Sequence, residues 1–287
     1  MSVVYLNGDY LEEKDACVSV LDRGFIFGDG VYEVIPVYGG HLFRLEQHLQ
    51  RLSNSLAGIR LKNPLTNKEW REIIEAVVKR NSDSTDQSIY LQVTRGAAKR
   101  DHAFPEKISQ TVFVMSSPMQ AVSSDKLTNG VSAITHEDIR WHYCHIKSIA
   151  LLPNTLMRQA ARDAGADEAI LNRDNKITEG AASNVFIVKN GTIVTPPKDD
   201  CLLPGITRDL ILEIARNAGL SFSETDVTQE QLHTADEIWL SSSTKEILPV
   251  TQLDGNPVGD GKPGKHWQDM LARYQEHKKL LRSGDAQ

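Results

Sequence analysis

The chain has 287 residues, a formal net charge of −6 and a hydrophobic share of 40%, which are ordinary values for a folded globular protein. That share excludes disorder as the main state, and no stretch approaches the roughly 18 uncharged apolar residues of a membrane span. The N-terminus lacks the basic start and apolar middle of a secretory signal, so we expect a cytoplasmic protein without a membrane partner. The acidic balance argues against nucleic acid as a partner.

The length exceeds what one hydrophobic core usually holds, so we expect two domains. The first, residues 1–119, is predicted to be α+β. Its predicted elements are a hairpin of 3–6 and 10–11 around Asn7-Gly8, a strand at 31–37, helices at 42–59 and 68–79, and strands at 89–93 and 112–115. A polar, serine-rich stretch without periodicity then predicts a linker at 120–130.

The second domain is predicted to cover residues 131–287 and to mix strands with helices. Its predicted elements are a strand at 131–135, a helix at about 148–164, hairpins of 167–172 with 176–178 and of 184–188 with 192–195, a helix at 210–218, a strand at 237–240 and an amphipathic helix at 266–281. The pattern contains no internal repeat.

The sequence predicts neither disulfide bonds nor a metal site. Cys17, Cys144 and Cys201 stand at wide spacing, which is no disulfide framework, and no CxxC is present. His142 and Cys144 would share a face of an extended segment, but His145 would point away and no carboxylate lies beside them. We therefore predict no metal site.

Lys147 stands among aromatic residues rather than among other charges. In an extended segment, Trp141, Tyr143, His145 and Lys147 would share one face. A lysine in partly apolar surroundings loses solvation of its ammonium form, so its amine becomes available as a nucleophile. A lysine that snorkels at a strand end explains the same pattern when it is taken alone.

Three further segments add a carboxylate and an anion site. Glu179 lies among small residues that suit close approach of a flat ligand, although a solvated turn fits too. The run from Leu203 to Thr207 leads into a helix whose free N–H groups would hold an anion, with capping by Thr207 as the alternative. Ser243 and Thr244 offer more hydroxyls after a strand. An amine, a carboxylate and a phosphate cradle are the parts that a pyridoxal 5′-phosphate (PLP) enzyme needs.

The segments 145–148, 165–169, 178–186 and 203–208 resemble the fold-type IV PLP aminotransferases in order and spacing, as do residues 27–33 and 44–52. The resemblance implies an α+β / α/β two-domain fold, with a smaller N-terminal α+β domain and a larger C-terminal, mixed β-barrel-like domain with helices. It also implies that Lys147 carries PLP and shuttles the proton and that Glu179 pairs with the pyridine nitrogen. The implied phosphate and ring contacts are Arg51, Ile206, Thr207, Ser243 and Thr244 for the phosphate, and Leu203 for the ring.

One segment indicates the branch of the family. In an extended R-x-H, Arg100 and His102 lie on one side, and an arginine grips a carboxylate with a bidentate fork. The pair resembles that of the D-amino acid enzymes, in which Tyr32, Arg100 and His102 would form a trap for the substrate's carboxylate. Arg100 and His102 would reach this site from the partner subunit, so the resemblance implies a homodimer. A solvated basic loop is the alternative.

We therefore predict transamination of D-amino acids of the D-alanine and D-glutamate type with 2-oxo acids such as 2-oxoglutarate or pyruvate. Branched-chain L-amino acid transamination, (R)-amine transamination and aminodeoxychorismate lysis remain open on the same fold, as does a non-catalytic cofactor-binding protein. Ala181 and Ala182 replace serines that the D-amino acid enzymes often carry, which leaves the breadth of substrates open.

Overall fold

The computed structural model describes residues 2–81 and 85–283. The chain forms two compact units: unit 1 comprises Met1–Gln120, Ile146–Leu151 and Leu280–Gln287, and unit 2 comprises Ala121–His145 and Leu152–Lys279. The predicted domain boundaries stay a prediction, and unit 1 takes up the short segment around Lys147 from the second half of the sequence.

Unit 1 contains a six-stranded sheet with the order β2-β1-β6-β5-β3-β4, in which all neighbours are antiparallel. Its elements are β1 (Val3–Leu6), β2 (Asp9–Glu12), α1 (Arg23–Phe27), β3 (Gly30–Tyr38), β4 (His41–Leu42), α2 (Leu45–Gly58), α3 (Asn67–Arg80), β5 (Gln87–Thr94) and β6 (Thr111–Pro118). The predicted first hairpin is confirmed, with Asn7 and Gly8 at φ values of 52° and 113°.

The apolar stripes of α2 and α3 form the core of unit 1 with the sheet. Leu49, Leu52 and Leu56 recur at helical spacing on α2, and all three are almost fully buried. The predicted start of α2 at residue 42 is wrong, because residues 41–42 pair with β3 and Arg44 takes a left-handed φ of 52° before the helix begins.

Unit 2 contains a mixed nine-stranded sheet with the order β12-β11-β10-β13-β14-β7-β8-β9, and β15 pairs with β14. Its elements are α4 (Ser124–Asn129), β7 (Val131–Glu137), α5 (Leu152–Asp163), β8 (Glu168–Arg173), β9 (Lys176–Gly180), β10 (Asn184–Lys189), β11 (Thr192–Thr195), α6 (Ile206–Asn217), β12 (Phe222–Glu224), α7 (Gln229–His233), β13 (Glu237–Ser242), β14 (Glu246–Leu253), β15 (Asn256–Pro257) and α8 (Lys265–Ser283). Both predicted hairpins, β8–β9 and β10–β11, are confirmed.

Two local expectations for the second half are corrected. The predicted helix at 148–164 begins at Leu152, because Ile149 donates its N–H to the carbonyl of Gly30 and its segment runs beside β3 in unit 1. The predicted linker contains the short helix α4, whose N-cap Ser123 accepts the N–H of Lys126. None of the helices in the described part of the chain combines the length and apolar character that a membrane crossing requires.

Candidate functional site

Lys147 is fixed through its backbone to two elements of unit 1. Its N–H donates to the Ser55 hydroxyl of α2 at 3.1 Å, and its carbonyl accepts the N–H of Tyr32 in β3 at 3.0 Å. Its Nζ atom lies 4.2 Å from the centroid of the Tyr32 ring, which in turn stacks on Tyr90 with 5.6 Å between centroids. The amine is therefore held over an aromatic face, and two predicted site residues, Lys147 and Tyr32, lie together.

The segment before Lys147 is not extended throughout, because residues 144 and 145 form a turn. The three aromatic side chains still lie on one side: the centroids of Trp141 and Tyr143 are 5.6 Å apart, and those of Tyr143 and His145 are 6.1 Å apart. Beyond the turn, the chain enters unit 1 at Ile146.

Arg51 lies in a buried ionic cluster that the sequence did not predict. Its Nε and Nη2 atoms donate to the two oxygens of Glu33 at 2.8 Å each, and Nδ1 of His48 lies 2.8 Å from Glu33 Oε2. Burial would raise the pKa of Glu33, but Arg51 and His48 outweigh burial and lower this pKa to about 2. Glu33 is therefore ionised, and it fixes the orientation of the Arg51 guanidinium. The only sign of this cluster in the sequence is the three-residue spacing of His48 and Arg51, which places both on one face of α2.

Glu179 is buried in unit 2, so the solvated turn is wrong. One of its oxygens pairs with Nη1 of Arg140. The other accepts the side-chain amide of Asn184 at 3.2 Å and the backbone N–H of Leu203 at 3.1 Å. The side chain is 7% exposed, and these donors hold it in one orientation. The predicted residues Glu179 and Leu203 are thus in direct contact.

Arg140 pairs with Glu179 and is itself held by Asp138, and the sequence predicted neither residue. Nε and Nη2 of Arg140 donate to the two oxygens of Asp138 at 2.8 Å each, and the Thr178 hydroxyl donates to Asp138 at 2.9 Å. Burial alone would lower the pKa of Arg140, but Asp138 and Glu179 raise it above the ordinary value. The guanidinium therefore stays charged. Asp138 and Arg140 lie just after β7, and a single acidic residue two positions before a basic one was too short a pattern to predict that Arg140 pairs with Glu179.

The N-terminus of α6 has the form of an anion site. The helix begins at Ile206 rather than at the predicted residue 210, and its N-cap is Gly205 rather than Thr207. The N-cap makes no side-chain hydrogen bond, and the first N–H groups of a helix have no partner within the helix. A Cβ atom at Gly205 would lie 1.9 Å from Asn184 Oδ1, so a larger residue there would displace the side chain that donates to Glu179.

The hydroxyl residues predicted for the phosphate lie in two places in unit 2. Thr207 is buried in the first turn of α6, next to Ile206. Ser243 and Thr244 lie in the turn that joins β13 to β14, where Ser243 is half-buried and Thr244 is exposed. Both places offer a hydroxyl with neighbouring backbone N–H groups, which is the donor chemistry that a phosphate requires.

Arg100 and His102 lie on an exposed loop of unit 1 and share one aromatic contact. Cζ of Arg100 is 5.4 Å from the centroid of the Phe27 ring, and the His102 ring is 5.4 Å from the same centroid. The two side chains thus contact the same ring, and their role in a carboxylate trap stays a prediction. Tyr32, the third predicted member of the trap, contacts Lys147 and Tyr90.

Within residues 2–81 and 85–283, no group of three or more histidine, cysteine or acidic side chains is arranged to hold a metal. His142 instead has its Nδ1 atom 3.2 Å from Nη1 of Arg173. Cys144 is buried, and burial raises the pKa of its thiol to about 11.

A family profile described as class IV amino-transferase matches residues 30–253, most of the chain. The chain belongs to this family. It is similar to the D-alanine aminotransferase of Bacillus licheniformis, with 42% identity over 261 residues that cover 91% of this chain and 92% of the relative. The D-alanine aminotransferase of Staphylococcus epidermidis is 42% identical over 277 residues, which cover 96% and 98%.

Solved structures of branched-chain amino acid aminotransferases match nearly the whole chain. The Escherichia coli enzyme has a TM-score of 0.92 and 29% identity over 100% of this chain and 96% of its own. A second enzyme of this name, solved with pyridoxamine 5′-phosphate, has a TM-score of 0.92 and 27% identity over 99% and 96%. The enzyme of the archaeon Thermoproteus uzoniensis has a TM-score of 0.90 and 28% identity over 98% and 95%. These matches confirm the predicted fold type, the predicted aminotransferase class and PLP as the cofactor.

The donor set of this class IV aminotransferase fits PLP. Glu179 offers an oriented, buried carboxylate for a protonated ring nitrogen, and the N-terminus of α6 with Thr207 offers N–H and hydroxyl donors for a phosphate. Lys147 supplies a positioned amine. The fit rests on the burial of Glu179 and Thr207 and on the hydrogen bonds that hold Glu179 and the backbone of Lys147 within their own units.

Proposed function

We propose that this aminotransferase acts on D-amino acids of the D-alanine and D-glutamate type and passes the amino group to 2-oxo acids such as 2-oxoglutarate or pyruvate. The observation that carries the proposal is that Arg100 and His102 both contact the ring of Phe27, which brings a guanidinium and an imidazole to one residue. The two D-alanine aminotransferases at 42% identity support it.

In this proposal, Lys147 carries PLP and Glu179 faces its pyridine nitrogen. Arg51 holds the phosphate with donors at the start of α6 and in the β13–β14 turn; these donors are Ile206, Thr207, Ser243 and Thr244. Leu203 packs against the ring. The orientation of Arg51 by Glu33 and of Glu179 by Arg140 supports these roles, because each charged group is fixed before a ligand binds.

PLP supplies an electron sink for the negative charge that develops at the substrate's α-carbon. Glu179 keeps a proton on the pyridine nitrogen, so that the sink stays effective. Once the substrate's amino group has replaced Nζ of Lys147 on the cofactor, the freed Nζ would take the α-proton and return it, and the Tyr32 ring limits where that atom can move. Arg100 and His102 hold the substrate's carboxylate and thereby decide which face of the α-carbon meets the lysine.

We further infer a homodimer in which the loop with Arg100 and His102 serves the partner's site. Exposed apolar side chains in unit 1 support an interface, since Val20 is 73% exposed and Phe25 is 75% exposed. Sedimentation of the purified protein tests the dimer directly. A cytoplasmic location stays a prediction.

A second candidate is transamination of branched-chain L-amino acids, which the solved structures at a TM-score of 0.92 favour. Initial rates with D-alanine, D-glutamate, L-leucine and (R)-1-phenylethylamine, each with 2-oxoglutarate, separate the candidates. We expect kcat/KM for D-alanine to exceed that for L-leucine by at least about 100-fold. A preference for L-leucine or for the amine would overturn the proposal, and pyruvate release from aminodeoxychorismate without an acceptor would indicate the lyase.

A further inference from the structure

We propose that Arg23 is a positioning residue that holds the loop carrying Arg100 and His102, and so sets the affinity of the enzyme for the substrate's carboxylate. The inference rests on the proposed function, because it concerns the same carboxylate site. Arg23 itself does not belong to the predicted trap, and it contacts the loop through backbone atoms.

The guanidinium of Arg23 bonds to the loop on both sides of His102. Its Nη1 atom donates to the carbonyl of Asp101 at 2.6 Å and to that of Ala103 at 3.3 Å. Both acceptors are backbone groups, so these bonds fix the path of the chain rather than the rotamer of a side chain. The two carbonyls belong to the residues before and after His102, so the bonds fix the backbone position from which the imidazole extends.

The largely buried carboxylate of Asp29 holds Arg23 in place. Nε of Arg23 donates to Asp29 Oδ2 at 2.8 Å, and the side chain of Arg23 is 4% exposed. Burial would raise the pKa of Asp29, but the hydrogen bonds and charges of Arg95 and Arg23 outweigh it, so this pKa lies below its ordinary value. Asp29 therefore stays ionised at neutral pH.

Arg95, which directly follows β5, is the second arginine bound to Asp29. We call Arg23, Asp29 and Arg95 together the anchor. The Nε atom of Arg95 donates to the same Asp29 oxygen at 2.8 Å, and its Nη2 atom donates to the carbonyl of Ile59 at 2.7 Å. Its guanidinium also lies 3.7 Å from the centroid of the Phe104 ring, beyond the loop's turn. One carboxylate thus ties together α1, the end of β5 and the loop.

Phe27 links the anchor to the trap side chains. Cζ of Arg23 lies 4.7 Å from the centroid of the Phe27 ring, the same ring that Arg100 and His102 contact. Residues 99–104 are all exposed in the single chain, so little other packing within the same subunit restrains the loop. Without Arg23, ordering this segment would cost conformational entropy on substrate binding, which weakens binding more than it slows the chemical step.

Arg23→Lys and Arg23→Gln in the holoenzyme test the inference. Lysine has one nitrogen and cannot reach Asp29 and the two carbonyls at once, so both variants should behave alike. We expect KM for D-alanine to rise about 10- to 100-fold with kcat within about 3-fold. Amide hydrogen exchange of residues 99–103 should accelerate at least about 10-fold. Thermal unfolding checks that each variant is folded.

Arg60→Gln is the matched control. Arg60 is exposed and its Cζ lies 5.7 Å from the Phe104 ring, so it neighbours the anchor without belonging to the proposed machinery. Its KM and exchange rates should stay within about 2-fold of the wild type. Wild-type KM and wild-type exchange in both Arg23 variants would overturn the inference.

Arg100→Ala, measured in parallel, separates this inference from the proposed function. A raised KM in Arg100→Ala with unchanged Arg23 variants rejects the positioning role and leaves the trap intact. An unchanged KM in Arg100→Ala rejects the trap, and the exchange rates of residues 99–103 then still decide whether Arg23 holds the loop.

Discussion

The amine of Lys147 faces the ring of Tyr32, with 4.2 Å between Nζ and the ring centroid. The ring therefore bounds one side of the space that Nζ can occupy. Tyr32→Phe keeps this ring but removes the hydroxyl, so we expect kcat within a few-fold and a raised KM for D-alanine. Tyr32→Leu removes the ring, and kcat should fall as well. Steady-state kinetics on both variants test this, and equal kcat values in the two would contradict a role of the ring.

Lys147 is expected to be the residue that carries PLP. The purified protein should be yellow, and borohydride treatment followed by peptide mapping should find the reduced cofactor on the peptide that contains Lys147. Lys147→Ala should lose turnover and this adduct.

Lys245 is the control residue for the borohydride experiment, because its amine is also available as a nucleophile. Burial lowers the pKa of its amine, so it is the rival nucleophile in unit 2. Lys245→Ala should keep the adduct and the colour. An adduct on the Lys245 peptide in the wild type would contradict the assignment.

The sequence predicted best those parts of the fold that depend on neighbouring residues. The turns at Asn7-Gly8 and Asn190-Gly191 form hairpins because both residues of each pair take positive φ. β14 was missed although it is almost wholly buried: strands covered on both faces show no alternation, and Pro249 in its middle argued against a strand.

The candidate site was predictable as a set of residue types but not in its supporting contacts. The pairing of Glu33 with Arg51 could not be predicted, because it depends on how α2 packs on β3. The contact of Lys147 with Tyr32 likewise depends on a segment that joins β3 from far along the chain. Such pairings arise from tertiary structure, and the local pattern carries no sign of them.

The Glu33 cluster predicts a pH dependence of stability. The pKa of Glu33 is about 2 in the folded state against 4.5 for the ordinary group, so unfolding takes up a proton between these pH values. Its contribution, roughly 3 kcal/mol by the 1.36 kcal/mol per pKa unit, is complete above pH 4.5 and is lost as the pH falls toward 2. Urea unfolding from pH 7 to pH 3 should therefore show a steeper loss for the wild type than for Glu33→Gln. Parallel pH profiles would contradict the ionised pair.

Glu179 is expected to act through its charge and not only through its hydrogen bonds. Arg140 and Asn184 hold the carboxylate, and Glu179→Gln keeps its shape while removing the negative charge that favours a protonated pyridine nitrogen. We expect kcat to fall roughly 10²- to 10³-fold, the usual effect of losing one preorganised electrostatic group.

Glu224→Gln is the matched control for Glu179→Gln, because Glu224 also pairs with an arginine of unit 2, Arg208, at 2.7 Å. It should keep kcat near the wild-type value. Thermal unfolding of both variants separates a damaged fold from lost chemistry, since Glu179→Gln should melt cooperatively and still bind PLP. Wild-type turnover in Glu179→Gln would mean that the ring nitrogen needs no anionic partner. A loss in Glu224→Gln as large as that in Glu179→Gln would mean that neutralising any carboxylate paired with a buried arginine of this unit disturbs the site, and the electrostatic role of Glu179 would then be rejected.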